Sequence, residues 1–120
     1  MNIYKIFKFI GEKNHNYSLD IVQENYLRSE AIPGKGYLDE KGKQGLWVTR
    51  YFYICKEEIE YVDDVRNGKC IIYDNRGLIE KEKTYKDGEL NGRYVTYKYN
   101  GDILIDSMWE NGELISYERF

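Results

Sequence analysis

Proline is nearly absent from this chain, one residue in 120, and histidine (one) and cysteine (two) are almost as scarce. With Pro33 alone there is no proline-rich linker, and long stretches are free to enter β ladders. His15 lies in a polar turn without a cysteine or serine motif beside it, so it reads as a solvated surface residue and not as a general base or metal ligand. Cys55 and Cys70 have neither CxxC spacing nor a nearby histidine, which leaves no zinc or redox signature. They read as small buried hydrophobes in a reducing cytoplasm, with a disulfide conceivable only if neighbouring strands bring them together.

Long apolar runs are missing too. The first ten residues include Lys5 and Lys8, fall far short of the ~20 apolar residues of a membrane span, and lack a small-residue cleavage site, so neither a span nor a signal peptide is expected. Nor is there an excess of positive charge: 18 Lys and Arg against 21 Asp and Glu give a net charge of −3, which argues against nucleic acid and weakly for a basic partner. Gly34-Lys35-Gly36 follows a proline and is not set between a strand and a helix, so it is no phosphate loop. No motif fixes a nucleophile or a base, and the reading is a non-enzymatic protein without a cofactor.

What the chain does have is tyrosine, 13 residues, and glycine, 11 residues, arranged periodically. Tyrosine suits strands with one wet face, because the ring packs while the hydroxyl reaches water. Gly68-Lys-Cys-Ile-Ile-Tyr73-Asp-Asn-Arg-Gly77 lies over Gly92-Arg-Tyr-Val-Thr-Tyr97-Lys-Tyr-Asn-Gly101 at an offset of 24 residues, and the same offset carries Ile79 onto Ile103, Tyr85 onto Trp109 and Gly88 onto Gly112. Gly45-Leu-Trp47-Val-Thr opens in the same way as Gly92-Arg-Tyr94-Val-Thr.

Each unit reads as a β-hairpin with an Asn-Gly or Arg-Gly turn. One strand carries Val95, Tyr97 and Tyr99, the other Ile103, Ile105 and Trp109, and one face is expected to be apolar and aromatic. In the middle unit Lys81 and Lys83 interrupt the stripe and are expected to snorkel along the rings. From Gly45 to Gly68 there are 23 positions, against 20 in the later units (Gly68 to Gly88, Gly92 to Gly112), which predicts a longer or bulged tip around residues 54–58. Isolated hairpins are marginal in water, so the units must stack.

Ahead of the repeat, residues 2–10 and 17–23 alternate with period two and read as an opening hairpin; residues 24–31 fit either a helical turn or an irregular connection. Ile32-Pro33-Gly34-Lys35-Gly36 is the clearest break. The fold class is therefore mainly β: an antiparallel meander of stacked β-hairpin repeats in an open sheet. Residues 1–120 form a single domain, with an atypical N-terminal cap hairpin and connection in 1–36 and about three repeats in 37–120.

A unit of G-x-[WY]-x-x-Y, an Asn-Gly-type turn, and an alternating strand ending in Tyr or Trp before Asp-Gly or Asn-Gly resembles the MORN-type hairpin repeat. It is most similar to the bacterial variant in the YwqK-like antitoxin family. Gly45, Trp47, Gly68, Tyr73, Gly77, Tyr85, Gly88, Gly92, Tyr97, Gly101, Trp109 and Gly112 carry the resemblance and would be the scaffold. The first unit departs from it in having Arg50 where Tyr97 stands, and the middle unit in having Cys70. The resemblance implies a cytoplasmic protein that binds another protein, in some members an antitoxin or immunity protein that neutralises a toxin. A structural or membrane-peripheral scaffold is the alternative.

Function would then belong to what breaks the repeat. The acidic run Glu57-Glu58-Ile59-Glu60-Tyr61-Val62-Asp63-Asp64 reads as a solvated strand face, as an acidic surface for a basic partner, or, least of all, as a metal site, since alternation splits its carboxylates between two faces. Tyr53, Tyr99 and Tyr117 are not demanded by the period and are candidate interface anchors. The candidate partner-binding set is Tyr53, Glu57, Glu58, Glu60, Asp63, Asp64 and Tyr99. Unpaired strands at the ends of such a sheet would also suit an edge-strand homodimer.

Overall fold

A computed structural model describes residues 27–51 and 55–120 of the chain. The expected N-terminal hairpin and Tyr53 lie outside the described residues. Nine strands form one antiparallel sheet: β1 (Leu27–Asp39), β2 (Gly42–Tyr51), β3 (Cys55–Val62), β4 (Val65–Tyr73), β5 (Ile79–Lys86), β6 (Glu89–Leu90), β7 (Gly92–Tyr97), β8 (Ile103–Glu110) and β9 (Glu113–Arg119). Their order is β1-β2-β3-β4-β5-β7-β8-β9, with β6 paired to β5, so the described strands follow one another as a meander. The expected mainly-β open sheet of hairpins is the observed architecture, and no helix occurs among the described residues.

Two kinds of turn alternate along the sheet. At one end, residues 74–78 and 98–102 make the glycine turns read from the repeat: the Gly77 N–H donates to the Asp74 carbonyl at 3.0 Å and the Gly101 N–H to the Lys98 carbonyl at 2.9 Å. At the other end are two-residue turns with both residues at positive φ, namely Asp63-Asp64 (49° and 69°), Asp87-Gly88 (50° and 89°) and Asn111-Gly112 (49° and 83°). These are the primed turns that match the right-handed twist of paired strands.

Asp64 thus occupies the place of Gly88 and Gly112, and the first unit closes there and not at Gly68. From Gly45 to Asp64 there are 19 positions, one fewer than the 20 of the later units. Of the longer or bulged tip expected around residues 54–58, residues 55–58 belong to β3, which begins at Cys55 paired with Tyr51, and Ile54 lies outside the described residues. Aspartate tolerates the left-handed region well enough to make the turn without glycine, which hides it from a glycine count.

The break at Pro33 is also different from the expectation. β1 runs through it, and the register with β2 slips between Ala31 and Gly36, so residues 32–35 bulge out of the ladder. Proline is admitted there because β1 is the first strand of the described order and the bulge removes the demand for its N–H.

The ladder registers place the repeat glycines opposite the aromatics: Gly45 faces Tyr61, Gly68 faces Tyr85 and Gly92 faces Trp109. A side-chain amide precedes each of these glycines and grips the next two-residue turn. The Asp63 N–H donates to Gln44 Oε1 at 2.9 Å, the Asp87 N–H to Asn67 Oδ1 at 3.1 Å and the Asn111 N–H to Asn91 Oδ1 at 2.9 Å. The backbone repeats the pattern, with the Asp64, Gly88 and Gly112 N–H groups donating to the carbonyls of Lys43, Arg66 and Leu90. Successive units are clipped together by polar groups as well as by packing.

Cross-strand partners share a face, and the partner lists overturn the expectation of one aromatic face. Val95 pairs with Asp106 while Tyr94 pairs with Ser107, so Val95 and Tyr97 lie opposite to Ile105 and Trp109. One face carries Trp47, Ile59, Cys70, Tyr94 and Trp109; the other carries Val48, Glu58, Glu82 and Val95. The core is thin and uses both: Ile59 and Cys70 are fully buried on the first face, Val48 and Val95 buried on the second.

Candidate functional site

The first face is built as an alternation of rings and cations. Lys43 Nζ lies 5.1 Å from the ring centre of Trp47 and 4.9 Å from that of Tyr61. Next, the Arg66 guanidinium lies 5.4 Å from Tyr85 and donates to its hydroxyl at 3.2 Å. Lys83 Nζ follows, 5.7 Å from Tyr85 and 5.4 Å from Tyr94. These separations are within the ~6 Å range of cation–π attraction. The middle-unit lysine therefore does run along the rings, as its position in the stripe implied. Among the described residues the in-phase rings are separated by a cation or a strand, and the ring pair that meets is Tyr94 with Trp109, 6.3 Å between centres.

Glu57 sets the electrostatics of this face. Only 4% exposed, it accepts the Cys70 S–H at 2.9 Å. Burial lowers the pKa of Lys43, against the pull of Asp64 and Glu57. Burial also acts against the charge of Arg66, yet Glu57 and the hydroxyls of Tyr85 and Tyr61 more than offset it and raise its pKa. The Cys70 thiol is pushed up to about 12, by burial first and then by the carboxylate it donates to.

A thiol in an unfolded chain titrates at about 8.5. The folded protein holds a proton that the unfolded chain releases, so this contribution to stability is complete below that pH and is lost as pH rises towards 12. Folded Cys70 is expected to resist iodoacetamide at pH 8 and to label on unfolding, as read by peptide mass spectrometry. Melting temperature is expected to fall between pH 9 and 11, more steeply than in Cys70→Ser, whose hydroxyl keeps the hydrogen bond without titrating.

The rest of the acidic run is dispersed. Glu58, on the second face, accepts the Tyr73 hydroxyl at 3.3 Å and pairs with Lys56 at 3.4 Å. The following unit repeats the contact, the Tyr97 hydroxyl donating to Glu82 at 2.8 Å. Glu60 accepts the Lys69 N–H at 2.8 Å. Asp63 and Asp64 form the turn and accept from Gln44 Nε2 at 2.7 Å and the Lys43 N–H at 3.0 Å. These carboxylates satisfy the sheet's own donors. Tyr99 lies at the opposite end, in the 98–102 turn, 75% exposed with the Arg76 guanidinium 3.5 Å over its ring. The structure therefore does not gather the candidate set into one patch.

It does gather a set that the repeat pattern concealed. Between β7, β8 and β9 lies a groove of about 300 Å³, walled by Tyr94, Trp109, Leu114 and Tyr117 with Ile105 and Ser107 at its floor. Ser107 donates to the Tyr94 carbonyl at 2.9 Å and receives the Trp109 indole N–H at 3.0 Å, which fixes the orientation of the ring. Leu114 and Tyr117 are 47% and 64% exposed. Tyr117 stood out in the sequence as surplus to the period; Leu114 had no such signal.

Among the described residues no group of three or more His, Cys, Asp or Glu side chains is placed to hold a metal ion, and no helix is long and apolar enough to cross a membrane. No protein-family model matches the chain, and no curated protein matches it.

Proposed function

We propose that the protein is a non-enzymatic protein-binding module. The observation that carries this reading is the uncovered aromatic end of the sheet, where the Tyr94–Trp109–Tyr117 groove adjoins a last strand, β9, that is exposed along its whole length. Pre-oriented aromatic rings in an exposed apolar patch are the usual anchors of protein interfaces. Internal use of the acidic run moves the expected contact away from residues 57–64 and towards β8 and β9.

The resemblance to MORN-type repeats of the YwqK-like kind supports the finer reading of a cytoplasmic antitoxin or immunity protein that covers the active surface of a cognate toxin. Co-expression of the tagged full-length chain with the product of the adjacent gene tests it. A stable complex on pull-down and restored growth of cells carrying that gene product are expected. Absence of both would remove the neutraliser reading, and salt-sensitive binding to anionic vesicles instead would favour the membrane-peripheral scaffold.

A further inference from the structure

We propose that the partner protein lays an extended acidic segment, two carboxylates flanking one apolar side chain, across the groove between Trp109 and Tyr117. This deepens the module reading and rests on it. The sheet divides its charge between its faces. On the first face the paired positions carry the cations Lys43, Arg66, Lys81, Lys83 and Arg119 and a single carboxylate, Glu57, which is only 4% exposed. The second face holds Glu58, Glu82, Asp106, Glu110, Glu113 and Glu118. The net charge of −3 therefore hides a cationic face, and that face bears the groove.

Three of these cations are already seated over rings: Lys43 over Trp47 and Tyr61, Arg66 over Tyr85, and Lys83 over Tyr85 and Tyr94. Lys81 and Arg119 have neither an ion pair nor a side-chain hydrogen bond among the described residues. The ladders put these two in one row, Lys81–Thr96–Ile105–Arg119, and the middle members of the row line the groove. Three strand spacings separate the cations, about 14 Å. An extended segment crossing the strands turns residues i, i+2 and i+4 to one side and spans about 13 Å between the outer two. Carboxylates at i and i+4 then meet Lys81 and Arg119, while an apolar side chain at i+2 enters the groove over Ile105. Two free cations so far apart, with an apolar floor between them, make a poor track for nucleic acid, whose binding grows with the number of phosphates neutralised.

The test titrates the full-length ¹⁵N-labelled chain with acetylated peptide amides, Glu-Ser-Leu-Ser-Glu against Gln-Ser-Leu-Ser-Gln and Lys-Ser-Leu-Ser-Lys, and with a single-stranded oligothymidylate, following the Trp109 indole resonance. The acidic peptide is expected to bind about tenfold more tightly than the glutamine peptide, the effect of two partly exposed ion pairs, and the margin is expected to shrink with salt. Arg119→Gln, at an exposed position, is expected to cut the margin to about threefold, and Lys81→Gln added to it to abolish the margin. Glu118→Gln, one residue away on the second face, is expected to leave it unchanged; a circular-dichroism melt checks that the variants fold. Equal binding of the acidic and glutamine peptides, tighter binding of the lysine peptide or of the oligothymidylate, or a full margin in folded Arg119→Gln overturns the proposal. So does Arg119-dependent self-association of the chain alone in sedimentation, which would make a second copy the occupant. The pull-down reports separately. A complex that survives the double variant beside a silent titration removes the groove assignment and leaves the module reading, whereas an acid-selective groove without any complex does the reverse.

Discussion

Glu57→Ala is expected to destabilise the protein by about 2–4 kcal/mol, read as a fall in the urea midpoint at unchanged slope. The substitution removes the acceptor of the fully buried Cys70 thiol and the carboxylate that stabilises the charge of Arg66, while both groups stay where they are. Breaking such an arrangement from one side costs more than the arrangement contributes, because the remaining partner is left with its desolvation uncompensated. Glu57→Gln keeps an acceptor for the thiol and loses only the charge, so it is expected to cost roughly half as much. Equal losses in the two variants would show that the charge, and not the hydrogen bond, is what matters at this position.

Gly45→Ala is expected to be as damaging, at about 3 kcal/mol or more, for a different reason. Gly45 has φ 78°, and an added Cβ would run into the Lys35 carbonyl and lie 3.0 Å from the Gly36 Cα. The obstruction is backbone on both sides, where β1 returns from its bulge to meet β2, so no side-chain rotation relieves it. Gly77→Ala and Gly101→Ala make the control: their φ values of 82° and 97° carry comparable strain, but an added Cβ meets nothing within 4 Å. They are expected to cost about 1 kcal/mol each, the backbone preference alone. Denaturation of the three variants separates conformational strain from the close approach, and hydrogen exchange in Gly45→Ala should show the loss of protection concentrated in β1.

Strand period and turn chemistry are local, and they were legible. Alternation around Tyr94 to Tyr97 and the glycines at 77, 88, 101 and 112 marked hairpins without help from the rest of the chain. What escaped was decided by neighbours. The Asp63-Asp64 turn is invisible to a search for glycine because its conformation is tolerated by aspartate and held by the Gln44 amide 19 residues away. Pro33 looked like an end because a proline inside a ladder is costly, and only the pairing of both flanks with β2 shows that the ladder resumes. The acidic run was read as surface from its composition, yet Glu57 is buried because Cys70 sits across from Ile59 on the adjoining strand and turns its thiol to the carboxylate. The groove was concealed by the same logic: Ser107 is unremarkable until it is compared with the lysine one unit earlier.

The grip of Gln44, Asn67 and Asn91 on the turns that follow them has a direction. Each amide belongs to an earlier strand and each captured turn to a later one, so the opening of every unit furnishes the mooring for the turn that closes it. As the chain leaves the ribosome, a new hairpin tip therefore meets a mooring already in place. The arrangement is vectorial: each closing turn is held by a strand that precedes it in the chain. β9 carries no such amide, since Ile115 stands one unit beyond Asn91.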